Sequence, residues 1–305
     1  MNQPVTSQDD PKRKRMGVAY GVAAFLSWGV LPVYFKAVAA VPTLEVLAHR
    51  IIWSLVFLLA LTHVRGGWRT LGALLGDRRT QLTLMTTTCL IATNWGVFIY
   101  AVARGQLVEA SLGYFITPLI NVLLGIVFLR ERLRPVQMVA VGLAACGILW
   151  MTSRLGHFPV ISLTLAVSFG FYGLLRKQVP ASGIQGLTVE TMMLSPVALA
   201  WLVWRWQQGA LVFLYATVKL DALLLAAGVI TALPLIWFAE GAKRLTLATT
   251  GFLQYLAPTG QLLLAVFLFG EPFTRGHAVS FGLIWVALAL YSFDTAWGRR
   301  SRVIR

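Results

Sequence analysis

Ten times along its 305 residues this chain runs apolar for about the length of a bilayer crossing, with short polar breaks between the runs. A hydrocarbon core about 30 Å thick takes about 20 residues of helix. Backbone groups inside it must be satisfied within their own segment, so such runs form helices rather than loops or open sheet. The predicted spans are 16–40, 44–63, 82–103, 107–129, 135–153, 157–175, 187–205, 219–239, 246–268 and 277–296. The fold class this dictates is an all-α integral membrane protein of ten transmembrane helices.

Charge supports the same class. Only 12% of residues are charged and 58% are hydrophobic, against about 25% charged in soluble domains. The net charge of +15 could serve nucleic acid, but the basic residues cluster between apolar runs, which is a membrane pattern and excludes that partner. With the N-terminus inside, nineteen Lys and Arg residues fall in inner segments and five in outer ones (Arg104, Arg154, Arg205, Lys219, Arg275). Both termini are therefore expected in the cytoplasm. Residues 1–15 end in Pro-Lys-Arg-Lys-Arg and precede an apolar stretch and an Ala37-Val38-Ala39 triplet. The stretch is too long for a cleavable signal and is read as an uncleaved first helix. Cys89 and Cys146 lie in apolar runs without a CxxC pattern and are expected as buried thiols. His49, His63, His157 and His277 have no ligand spacing, so no metal and no cofactor is expected.

The chain also repeats itself. A shift of 140 residues aligns Pro118 with Pro258, Glu131 with Glu271, Lys36 with Arg176, Arg104 with Arg244 and Gly142 with Gly282, without a gap. Five spans per half is an odd number, so the second half enters the membrane from the opposite side. The expected organisation is a polar, basic tail (1–15), a first five-helix repeat (16–153), a second, inverted one (157–297) and a basic tail (298–305). Such inverted repeats place a solute path at their interface near the midplane.

The segments HRIIWS (49–54), NWGVFIYAV (94–102), EASLGYFITPL (109–119), FYGLLRK (171–177) and GFLQYLAPT (251–259) resemble the drug/metabolite transporter superfamily, its EamA-type group and the RarD-type "chloramphenicol-sensitive" subgroup. The resemblance spans 16–297. It implies two five-helix halves around a central cavity, export-type secondary transport across a bacterial inner membrane, and amphipathic metabolites or drugs as solutes, with amino acids as an alternative. One departure is a Thr117-Pro118 pair where the family's pattern has Asn-Pro.

Several polar residues sit within the spans. The fourth places Ala110, Tyr114, Thr117 and Asn121 on one face, and the ninth places Thr250, Gln254, Ala257 and Gln261 on the equivalent face. Polar groups avoid lipid, so both faces are expected to point inward, as cavity lining or as interhelical glue. Tyr114, Asn121, Gln254 and Gln261 are expected around one central cavity. Pro118 and Pro258 each remove a backbone donor, which makes them candidate bending points. Trp28, Asn94, Trp95 and Trp237 are candidate cavity walls, while Tyr100, Pro234 and Glu240 share those spans. Lys36, Glu45, His49 and Arg50 form a candidate coupling or ion-pair cluster, with Glu45 and His49 one turn apart. Proton coupling through that cluster and a fixed salt-bridge group both remain open. Glu109 and Glu190 are read as interfacial, and Glu131 and Glu271 as loop or packing features. Small residues on the fifth span (Ala140, Gly142, Ala144, Ala145, Gly147) suit close packing within the chain or a homodimer face.

The leading function is a secondary-active exporter working by alternating access, with a facilitator or exchanger lacking proton coupling as the alternative. No phosphate-binding Gly-x4-Gly-Lys-Ser/Thr loop is present, and the loops leave no room for a nucleotide-binding domain. An enzyme would need a catalytic constellation and a scaffold a soluble module, and neither is legible. The expected partners are a small solute and the lipid bilayer.

Overall fold

The computed structural model describes residues 11–104, 107–153, 158–268 and 275–303. In chain order the helices are α1 (Pro11–Ala37), α2 (Thr43–Val64), α3 (Trp68–Gly76), α4 (Arg78–Ala103), α5 (Leu107–Leu129), α6 (Pro135–Thr152), α7 (Val160–Gln178), α8 (Gly183–Gln207), α9 (Val218–Ala242), α10 (Leu247–Gln254), α11 (Leu256–Leu263) and α12 (Arg275–Val303). Among the described residues no strand occurs.

Helix ends follow local chemistry. The Ser182, Thr217 and Thr246 side chains cap α8, α9 and α10, accepting from the N–H groups of Gln185, Leu220 and Thr249 at 3.3, 3.2 and 3.1 Å. Asp77 caps α4 through the N–H groups of Arg79 and Thr80. Pro11 and Pro135 open α1 and α6, where a missing N–H costs nothing.

Eight helical segments, counting 247–268 as one, are long and apolar enough to cross a membrane. Shorter apolar helices, Pro135–Trp150 and Gly282–Asp294, stand at the fifth and tenth predicted positions. Large apolar side chains such as Val30, Val56, Leu123, Val127, Val197 and Phe293 face outward. That belt fits lipid and not water, so this is a multi-pass membrane protein.

Two elements differ from the sequence reading. The predicted second-to-third loop contains α3, a short helix that buries only Leu71 and Leu74. The predicted ninth span is broken at Tyr255 into α10 and α11 and ends in a π-helical turn, Leu264–Leu268. Cys89 and Cys146 are exposed rather than buried, because hydropathy does not distinguish a lipid-facing position from a core one.

The helices pack in related couples. α1 packs on α9 and α4 on α7; α2 packs on α9 and α4 on α8; α5 packs on α7 and α1 on α10 and α11. α2–α8, α5–α10 and α6–α12 complete the set. Two of the glycines that permit close approach join α2 to α9 and α5 to α10. A side chain at Gly228 of α9 would overlap the Trp53 carbonyl group of α2, and Ser54 Oγ donates to Gly228 O at 3.1 Å. At Gly251 of α10 a Cβ would stand 2.8 Å from Pro118 O of α5. On α6, Ala140 and Ala144 are fully buried in a cluster with Ile284, Ala287 and Tyr291 of α12. Gly142 instead faces open space. Ala140 and Ala144 thus serve packing within the chain.

Candidate functional site

The polar residues of α5 and α10 meet. Asn121 and Gln254 are buried, and Asn121 Nδ2 donates to Gln254 Oε1 at 3.0 Å. Asn121 Oδ1 is buried without a hydrogen-bond partner among the described residues. Thr117 is fully buried and donates to Gly113 O at 2.8 Å, so its hydroxyl is spent on its own helix. Asn94 joins α4 to α7, donating to Leu165 O at 2.9 Å and Ser168 Oγ at 3.0 Å. These residues link helices.

Gln261 has a different task. Pro32 lies inside α1 and supplies no N–H to the carbonyl of Trp28, four residues earlier. Gln261 Nε2 donates to that carbonyl at 3.1 Å across the bundle. Its half-buried side chain leaves Oε1 without a hydrogen bond among the described residues. Pro118 lies within an unbroken α5, whereas the chain breaks three residues before Pro258.

Trp28 contacts Phe25, Phe169 and Phe238 at centroid distances of 5.6, 5.7 and 5.8 Å. Trp95 and Trp237 pack half-buried against the same core. Tyr114 is half-buried beside Phe98 at 6.0 Å.

The predicted Lys36/Glu45/His49/Arg50 cluster is divided: Glu45 and His49 both meet Phe213 of the α8–α9 connection, whereas Arg50 turns to α1, α4 and α9. Glu45 is fully buried and accepts from Val212 N at 2.7 Å and Phe213 N at 3.1 Å, with Arg205 at 4.0 Å. It fastens the α8–α9 connection. His49 Nδ1 accepts from Trp53 Nε1 at 3.1 Å, and its ring lies 4.7 Å from that of Phe213. Arg50 turns inward: Nε donates to Thr231 Oγ1 of α9 at 2.9 Å, and its guanidinium lies over Phe35 at 5.4 Å and Trp95 at 5.5 Å. Lys36 is exposed at the end of α1.

A second polar centre joins α4, α7 and α8. Arg176 and Glu190 are 0% and 1% exposed, with Arg176 Nε and Glu190 Oε1 3.7 Å apart. Thr87 Oγ1 donates to Glu190 Oε1 at 2.6 Å and Tyr172 OH to Oε2 at 3.2 Å. Arg176 Nη2 donates to Gly183 O at 3.2 Å. Glu190 is therefore a member of a buried ion pair and not an interfacial residue, and Arg176 does not face water. The only sequence signal was a pair of opposite charges bracketing a short turn. Nearby, Glu240 accepts from Gly183 N at 2.6 Å and pairs with Arg244. Glu131 accepts from the first N–H groups of α10, Leu247 at 2.6 Å and Ala248 at 3.1 Å. The Glu109 side chain and Glu271 lie outside the described residues.

The architecture is a membrane-embedded helical bundle with polar and aromatic groups in its interior, the class to which solute carriers belong. Residues 15–153 match the model of the EamA-like transporter family. The chain is 43% identical to protein RarD of Salmonella typhi, covering 96% of this chain and 100% of that one. It is 42% identical to an uncharacterized transporter of Vibrio cholerae serotype O1, over 93% and 94% of the two. A solved crystal structure with 18% identity superposes with a TM-score of 0.69 over 92% of this chain and 97% of the other, which bears on fold alone. The chain belongs to the EamA-type transporter family, in its RarD subgroup.

Proposed function

We propose that this protein is a secondary-active exporter of small amphipathic metabolites or drugs, working by alternating access between two inverted five-helix halves in a bacterial inner membrane. The observation that carries the reading is the fate of the intramembrane polar groups. Asn94, Thr117, Asn121 and Gln254 are buried in the bundle interior, and the equivalent helices α5 and α10 meet there through Asn121 and Gln254. Exposed threonines of α4 such as Thr86 can bond their own helix, whereas lipid-facing amides at 94, 121 or 254 would have argued against a path.

The packing couples support ten crossings and the inverted repeat. Exchanging the halves turns α1–α9 into α7–α4, α2–α9 into α8–α4 and α5–α7 into α10/α11–α1, and each of these pairs is in contact. Both termini are then cytoplasmic, as the basic residues require. The half-buried side chains Trp28, Trp95, Tyr114, Trp237 and Gln261, with Arg50, form the proposed solute path.

Exchange or facilitation without proton coupling is a second reading, favoured by one observation. Glu45 and His49, the candidate proton carriers, are committed to loop amides and to Trp53. Proteoliposome flux across a solute panel, with and without a pH gradient, separates the two. Folded Asn121→Leu and Gln261→Leu variants are expected to lose accumulation; wild-type-like flux in both would move the path elsewhere.

A further inference from the structure

We propose that Arg50 is a carboxylate-binding residue, so that the solute is an organic anion whose apolar part rests on Phe35 and Trp95; as a statement about cargo, this rests on the transport reading above.

The case begins with what Arg50 lacks. It lies seven residues beyond the start of α2, about 10 Å along the helix. A cation at that depth is costly and is normally paired. Arg134, Arg176, Arg205 and Arg244 each have an acid within 4.0 Å: Asp294, Glu190, Glu45 and Glu240. Arg50 has none among the described residues. Its one hydrogen bond goes from Nε to the Thr231 hydroxyl.

Ring contacts with Phe35 and Trp95 stabilise the charge without accepting its N–H groups. Nη1 and Nη2 thus have no acceptor among the described residues, and neither is sealed from the outside, since Arg50 is only half-buried. Two terminal donors in a fixed plane match the two oxygens of a carboxylate.

The surroundings complete a site. Tyr114 of α5 and Tyr34 of α1 lie within electrostatic reach of the guanidinium. The Tyr114 hydroxyl is also without a hydrogen bond among the described residues and can donate to the same anion. Five helices, α1, α2, α4, α5 and α9, therefore bring one cation, one free hydroxyl and two aromatic walls together. The 140-residue shift sharpens the contrast, because it places Glu190 opposite Arg50. Glu190 holds its counter-ion within the protein, and Arg50 leaves that position to a ligand.

The test uses purified full-length protein and two probe pairs, phenylacetate with phenylacetamide and indole-3-acetate with its amide, titrated by calorimetry. Each acid is expected to bind at least tenfold more tightly than its amide. R50Q should abolish that ratio, R50K should restore part of it, and Y114F should lower acid affinity severalfold. Equal wild-type affinity for acid and amide would overturn the proposal without any variant being needed. So would an unchanged ratio in R50Q, or preference for inorganic phosphate over both acids. Flux of the same probes in proteoliposomes is scored separately. Acid binding without flux would sink the transport reading and leave the anion site standing.

Discussion

Arg176 and Glu190 show what a buried charge demands of its neighbours. Removing one partner leaves the other uncompensated, at a cost of about 3–5 kcal/mol, whereas replacing both with apolar residues is often neutral. Arg176→Met is therefore expected to destabilise the detergent-solubilised protein strongly, and Arg176→Met with Glu190→Leu much less, as read by chemical unfolding. The pair was hidden because basic residues near span ends were counted as facing water. α7 runs on to Gln178, and helical side chains lean toward the N-terminus, which turns Arg176 back into the bundle. Arg50, by contrast, was legible as an intramembrane cation, although its neighbours were not. Lys243, just past α9, gives a pH signature. Burial, reinforced by Arg176, pulls its ammonium down to about 8. Between about 8 and the 10.5 of a free lysine, the unfolded chain binds more proton than the folded one, so stability rises with pH across that window. Lys243→Met should flatten that rise in a pH series of melting curves.

At the scale of elements, prolines decide where partners are needed. Gln261→Leu leaves the Trp28 carbonyl without a donor, a loss of about 1–3 kcal/mol. Pro32→Ala restores an N–H within α1 and is expected to recover most of that loss in the double variant. Stability recovery without flux recovery would separate the structural task of Gln261 from any contact with solute. Pro258→Ala should rejoin α10 and α11, seen as increased hydrogen-exchange protection at 254–258; unchanged protection would place the cause of the break elsewhere. The helices themselves were readable from apolar length, since lipid forbids any other use of such runs. The break at Tyr255 and the helix at 68–76 were not. Apolar runs record what lipid tolerates, and a local departure from i→i+4 bonding leaves the hydropathy unchanged.

At the scale of the molecule, the proposed exchange of halves makes a positional prediction. The counterpart of the Asn121–Gln254 bond is one between Gln261 and Tyr114, which is absent among the described residues. In an alternating carrier the two contacts should form in opposite states. After replacement of the outward-facing Cys89 and Cys146, paired cysteines at 121 and 254 and at 114 and 261 should cross-link with opposite responses to saturating solute. A parallel response would contradict the exchange.

If the proposed exchange of halves parts the Arg176–Glu190 centre, its chemistry bears on the ease of that motion. An apolar contact pulled apart meets water at a loss of about 25 cal/mol for each Å² exposed. A carboxylate, a guanidinium, a phenol and a hydroxyl pulled apart are instead rehydrated, and water takes over the hydrogen bonds they gave up. A contact built of such groups excludes water while closed and would admit its own solvent on opening, so that solvent would serve as its lubricant.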